Sequence, residues 1–175
     1  GKNLDDVSQV PPQRLVGPAV VLDFTKEVAA NPDFLLDVSH VQAWEKANGA
    51  IPKGAWVLFR TGWSQYGEDP AKFANADANG PHTPGLTVEC ADYFATKTDI
   101  LGMGVETVGT DAGQAFGFST PFPCHGMFLG NNKYGLTQLR NIDKLPTTGA
   151  IVIAAPLKIV KGSGSPCRVL ALVTK

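Results

Sequence analysis

The sequence predicts an α/β domain, with a mixed β-sheet and flanking helices. Three observations lead there. Short apolar runs rich in β-branched residues recur along the chain, segments with apolar residues at helical spacing alternate with them, and two further β-like runs close the chain with no helix between them. At 175 residues one hydrophobic core can offset the cost of ordering the chain, so a single domain over residues 1–175 is expected.

The elements follow in order. Residues 1–17, GKNLDDVSQVPPQRLVG, are polar, hold two prolines and have no periodic apolar face, so they read as a connecting loop. PAVVLDF (Pro18 to Phe24) reads as a buried strand. Ser39 stands before HVQAWEKAN with Gln42 three residues on, a capping-box spacing that starts a helix, and Gly49 can close it in the left-handed conformation. AWVLFR (Ala55 to Arg60) is a second strand. Residues 61–84 are dense in Gly, Pro, Asn and Asp and read as a long loop with at most a short helix, a length that in a compact domain is often functional. Thr87 can cap VECADYFATK, where Val88, Ala91, Phe94 and Ala95 share one helical face, and DILGMGVE (Asp99 to Glu106) is a third strand. CHGMFLGNN is a short helix, YGLTQL a strand and NIDKLP a turn. Ile151 to Val160 and Arg168 to Thr174 are the closing strands, with KGSGSP as a tight connection.

Composition excludes several functions. With 43% hydrophobic and 18% charged residues the chain is globular rather than disordered. A net charge of −1 with interleaved signs leaves no basic face for phosphates, so no nucleic acid is expected. No apolar run approaches the roughly 20 residues that span a bilayer, and the first ten residues are too polar for a signal peptide, so no membrane and a cytoplasmic location are expected. Cys90, Cys124 and Cys167 are too widely spaced for a zinc motif or a disulfide framework and read as buried thiols.

Polar residues able to do chemistry gather in three loops after strands, where α/β sheets commonly hold ligands. The first loop carries Arg60, Thr61, Trp63 and His82, the second Glu106, Thr110, Asp111 and Gln114, and the third His125, with Thr137 and Gln138 downstream. No HxH or HExxH spacing occurs, and no serine stands in GxSxG. Each residue also has a structural reading: His40 in a helix's first turn, His82 exposed in a loop, His125 bonded to backbone at a helix start, Asp111 capping a turn. The residues alone leave both readings open.

Six segments carry a resemblance: VGPAVVLDF, IPKGAWVLFRTGW, GPHTPGLTVECADYF, GMGVETVGTDAG, PFPCHGMFLGNNKYGLTQLRNIDKLP and APLKIVKGSGSPCRVLAL. In this order and spacing the chain resembles the cyclase family of metal-dependent hydrolases, which includes bacterial kynurenine formamidases and isatin hydrolases. The resemblance implies a swivelling β/β/α-type domain, a divalent metal (Mn or Zn), a small-molecule amide or lactone substrate and a homo-oligomer. It also implies a first metal segment of the form HxGTHxDxPxH, which this chain lacks, so the chain is expected to be the C-terminal part of an N-terminally incomplete domain. By position His125 matches a histidine of the family's metal site and is expected to be catalytic and metal-binding. Where the two-metal formamidases carry a glutamate, TQLRNID places Thr137, with Gln138 beside it as the candidate second ligand, which favours one metal over two. Trp63, His82, Thr110, Asp111 and Phe116 are the expected substrate-binding residues. The competing expectation is a catalytically silent binding or assembly unit.

Overall fold

The computed structural model describes residues 5–173. Strand β1 (Val16–Asp23) leads into helix α1 (Thr25–Ala30), a short β2 (Leu35–Leu36) and helix α2 (Val38–Asn48). Strand β3 (Trp56–Arg60) is followed by α3 (Pro70–Ala74), the hairpin β4–β5 (Ala76–Asp77 and Gly80–Pro81), β6 (Gly85–Leu86) and α4 (Val88–Thr96). Then come β7 (Gly102–Val105), α5 (Pro123–Gly130), β8 (Tyr134–Leu136), β9 (Ala150–Ala154) and β10 (Val169–Leu172).

Six strands form one sheet in the order β10-β9-β1-β3-β7-β8. β1, β3, β7 and β8 run parallel, while β9 and β10 are antiparallel to their neighbours. This is the mixed sheet with flanking helices that the sequence predicts. Because side chains alternate across a strand, the sheet builds two cores. Val20, Leu22, Val57, Phe59, Met103 and Val105 pack against Val41, Phe94 and Phe128 of the helices. Ala19, Val21, Trp56 and Leu58 pack on the other face with Ile142, Ala150 and Val152. Each large side chain buried here contributes on the order of 2 kcal/mol. The helix-covered face continues beyond the helices along the start of β1 and onto β9 and β10, where Val16, Ile151, Leu170 and Leu172 stand 43–57% exposed. Their register places Leu172 opposite Ile151, and both Leu170 and Val16 opposite Ile153.

Several expectations are corrected. α2 is capped by Asp37, not Ser39: Asp37 has extended backbone, its carboxylate accepts from the His40 amide at 3.0 Å, and His40 Nδ1 accepts from the Asp37 amide at 3.2 Å. Ser39 already lies inside the helix and donates its hydroxyl to Asp37 at 2.7 Å. The last two strands are shorter than expected, because Pro156 has no amide to donate to the ladder, and residues 155–168 form an irregular, mostly exposed stretch instead of a tight turn. Thr174 lies outside the described residues. In the expected connecting loop 1–17, residues 1–4 also lie outside them, Pro12–Arg14 form a helical turn, and Val16 and Gly17 already belong to β1. The short helix α1 had no sequence signal of its own. Cys90 and Cys124 are buried, with burial pushing the Cys90 thiol up to about 12 and the Cys124 thiol well above its usual range. Cys167 is only partly buried, which corrects its expected place in the interior. No helix among the described residues is long and apolar enough to cross a membrane.

Candidate active site

All four parallel strands end on one edge of the sheet, and the loops leaving that edge carry the polar residues. The loop after β7 holds two buried carboxylates, Glu106 at 3% and Asp111 at 8% exposure. A buried carboxylate is tolerated only when donors surround it.

Asp111 is surrounded by the start of α5. Its Oδ1 accepts from the Cys124 amide at 2.6 Å, and its Oδ2 from the His125 amide at 3.1 Å. The same Oδ2 lies 2.5 Å from His125 Nδ1. Pro123 occupies the first turn of the helix, where its missing amide costs nothing. A carboxylate beside this turn favours the tautomer with the proton on Nδ1, leaving the Nε2 lone pair free. The His125 side chain is 59% exposed, and its Nε2 has no hydrogen-bond partner among the described residues. An oriented imidazole with one open nitrogen can accept a proton or ligate a cation.

The other expected site residues fall in several places. Thr110 is buried and packs against Gly135 of β8. Gln138 has left-handed backbone (φ 58°), donates its amide to Thr107 O at 2.9 Å and lines a pocket of about 210 Å³ with Ser64, Glu106, Leu139 and Arg140. Trp63 is 4% exposed, its indole donates to Phe73 O at 2.9 Å, and it stands edge-on to Tyr66 with ring centroids 5.3 Å apart. It lines a larger cleft of about 640 Å³ with Thr25, Thr61, Gln65, Tyr66 and Lys72. Phe116 is half exposed beside Gly80. Of the expected residues, the structure brings Asp111 and His125 into direct contact and holds Gln138 against the same β7–α5 loop. Trp63 belongs to the neighbouring turn.

His82 clasps the β4–β5 hairpin. Its Nδ1 lies 2.6 Å from Asp33 Oδ2 and its Nε2 lies 3.2 Å from Asp77 Oδ1. The hydrogen bond to Asp33 is the main cause that holds the imidazole above its usual 6.5, with Asp77 adding to it. A folded-state value above the unfolded one means that the clasp contributes stability fully below about pH 6.5 and loses it as pH rises through the folded value. The melting temperature of wild type is therefore expected to exceed that of His82→Gln most at pH 5.5–6, with the gap closing at higher pH. A constant gap across that range would show that the clasp does not depend on charge.

Glu106 was named among the residues of the second strand-end loop but given no role, and the two aspartates around His82 were not among the expected site residues. Glu106 had one readable signal, a carboxylate directly after the apolar run GMGV. Asp33 and Asp77 reach His82 only through the fold. Among the described residues no group of three or more His, Cys, Asp or Glu could hold a metal. A catalytic ion generally needs three or four ligands with a position left open, so these residues do not make up a metal centre by themselves.

The Cyclase family model matches residues 1–112. The chain is 52% identical over 163 residues to an isatin hydrolase of Roseibium aggregatum, a match covering 93% of this chain and 62% of that relative's length. A solved isatin hydrolase bound to the product analogue thioisatinate superposes with a TM-score of 0.94 at 49% identity, over 97% of this chain and 64% of its own. Isatin hydrolase A from Ralstonia solanacearum gives 0.95 at 49% identity, over 97% and 65%. A structure described as a potential metal-dependent hydrolase with cyclase activity gives 0.65 at 25% identity, over 93% and 68%. The chain thus spans less than two thirds of the length of the isatin hydrolase relative it matches. With the mixed sheet, the strand-end loops and the sequence match in agreement, this chain belongs to the Cyclase family.

Proposed function

We propose that the whole protein is a metal-dependent hydrolase that opens a cyclic amide of the isatin class. The observation that carries this reading is the Asp111–His125 pair, a histidine oriented by a buried carboxylate with Nε2 open, in a chain 52% identical to an isatin hydrolase.

In this reading His125 Nε2 takes a proton from water as the water oxygen bonds to the amide carbonyl carbon. The proton then passes to the ring nitrogen as the C–N bond breaks, giving an amine and a carboxylic acid, which releases its remaining proton to solvent as the carboxylate. Asp111 keeps the imidazole in one tautomer and stabilises the cation formed in between. Thr110 and Gln138 line the same strand-end region, and Phe116 offers an exposed aromatic face to a flat ring. The divalent ion, Mn or Zn, belongs to this proposal through the metal-dependent relatives. His125 and Gln138 fall short of a full ligand set. We read the chain as a part of one hydrolase domain, in a cytoplasmic protein that forms a homo-oligomer. Three free cysteines support the compartment and the exposed β10 edge supports the assembly.

The test is hydrolysis of isatin by the purified whole protein, followed by loss of ring absorbance, before and after dialysis against a chelator. Turnover that disappears with chelator and returns with Mn or Zn is the expected result. No ring opening of isatin with either metal added would sink the substrate assignment.

A further inference from the structure

Glu106 is a buried charge that the proposed chemistry does not use. Its carboxylate makes four contacts with one short turn after β3. Oε2 accepts from the amides of Thr61 and Gly62, each at 2.6 Å, and from the Thr61 hydroxyl at 3.0 Å, while Oε1 accepts from the Ser64 hydroxyl at 2.6 Å. Gly62 has φ +75°, and two successive amides that converge across such a residue form a small concavity suited to an anion. Here the anion is the protein's own side chain.

The turn it holds has two sides. Thr61, Gly62 and Trp63 line the cleft of about 640 Å³, whereas Ser64 and Glu106 itself line the pocket of about 210 Å³ that Gln138 also borders. Five residues further along the same loop, Asp111 fixes His125. One loop therefore sets both the open histidine nitrogen and the wall between the two cavities. We infer that Glu106 is a positioning residue that holds the Thr61–Ser64 turn in place and so shapes the two cavities which that turn lines, the smaller of them bordered by Gln138. This inference rests on the hydrolase reading for its kinetic consequence and on geometry alone for its hold on the turn.

The experiment compares Glu106→Ala, Glu106→Gln, Glu106→Asp and Ser64→Ala in the whole protein by amide hydrogen exchange and by steady-state kinetics on isatin. Glu106→Ala leaves the donors without an acceptor, so the Thr61 and Gly62 amides are expected to exchange about 10- to 100-fold faster, and KM to rise about tenfold with a smaller change in kcat. Glu106→Gln is expected to recover most of both, because its carbonyl can accept from Thr61 and Gly62 while its amide donates to the Ser64 oxygen. Glu106→Asp is one methylene too short to reach and recovers little, and Ser64→Ala, which removes one donor, falls between. A bare volume requirement would not separate Gln from Asp in this way. The inference is overturned if Glu106→Ala exchanges at 61 and 62 as slowly as wild type, or if the turn loosens and KM does not move. Should Glu106→Ala fail to fold, Glu106→Asp and Ser64→Ala decide on the same readouts. If the unaltered protein opens no cyclic amide, the hydrolase reading fails by itself, and exchange at 61 and 62 still decides whether Glu106 holds the turn.

Discussion

Replacing Asp111 with alanine is expected to lower folding stability by about 2–4 kcal/mol, since each buried donor left without a partner costs roughly 1–3 kcal/mol. The donors are the amides of Cys124 and His125, at 2.6 Å and 3.1 Å, while the exposed His125 ring can turn to water. For a chain of this length that corresponds to a melting temperature lower by about 4–16 °C. Asp111→Asn separates stability from chemistry. Its side chain can still accept from one amide but can present its NH2 to the imidazole, which favours the opposite tautomer. Asp111→Asn is expected to lose much less stability than Asp111→Ala, yet to lose kcat by on the order of 10³-fold or more. Thermal denaturation alongside isatin turnover checks both, and equal activity in Asp111→Asn and wild type would contradict the assigned role of the carboxylate.

His125→Ala is expected to lower kcat/KM by about 10²- to 10⁴-fold, the usual worth of a positioned acid–base group, while changing stability little. The side chain is 59% exposed and its contacts are with Asp111. Asp111 keeps its two backbone donors in the variant, so its burial stays compensated. His125→Gln serves as the companion variant: it fills much of the space without a titratable nitrogen and should be as inactive as alanine. Activity retained by either variant would move the reacting group elsewhere in the cleft.

Much of the architecture is legible in the residues. PAVVLDF, AWVLFR and DILGMGVE declare their strands by composition, and the structure bears out all three with shorter ends for the last. Thr87 caps α4 as its position implies, with its hydroxyl accepting from the Cys90 amide at 3.1 Å. The Ser39 reading failed because Asp37 and Ser39 are both capping residue types, and only the extended backbone at Asp37 decides between them. The closing strands failed at Pro156, a residue whose meaning in a strand is visible in sequence but was outweighed by the apolar run around it. The candidate site is less legible. His125 was singled out through the resemblance, whereas its contact with Asp111, fourteen residues away, depends on how the β7–α5 loop folds back. Glu106 spans 45 residues to reach Thr61, a pairing that exists only because β3 and β7 lie side by side. Sequence spacing records neighbours along the chain, and these contacts are made across the sheet.

The apolar face of β9 and β10 bears on how the chain behaves in concentrated solution. Leu170 and Leu172 stand 51% and 57% exposed on the edge strand β10, opposite Ile153 and Ile151 of β9, with Val16 of β1 across Ile153. Salts such as sulfate are excluded from protein surfaces and strengthen the drive to hide such a patch. The unpaired amides and carbonyls of an edge strand give two colliding molecules a template along which to join. Salt-induced association of the chain is therefore expected to begin at β10, at the opposite end of the sheet from β7, whose following loop carries Glu106 and Asp111.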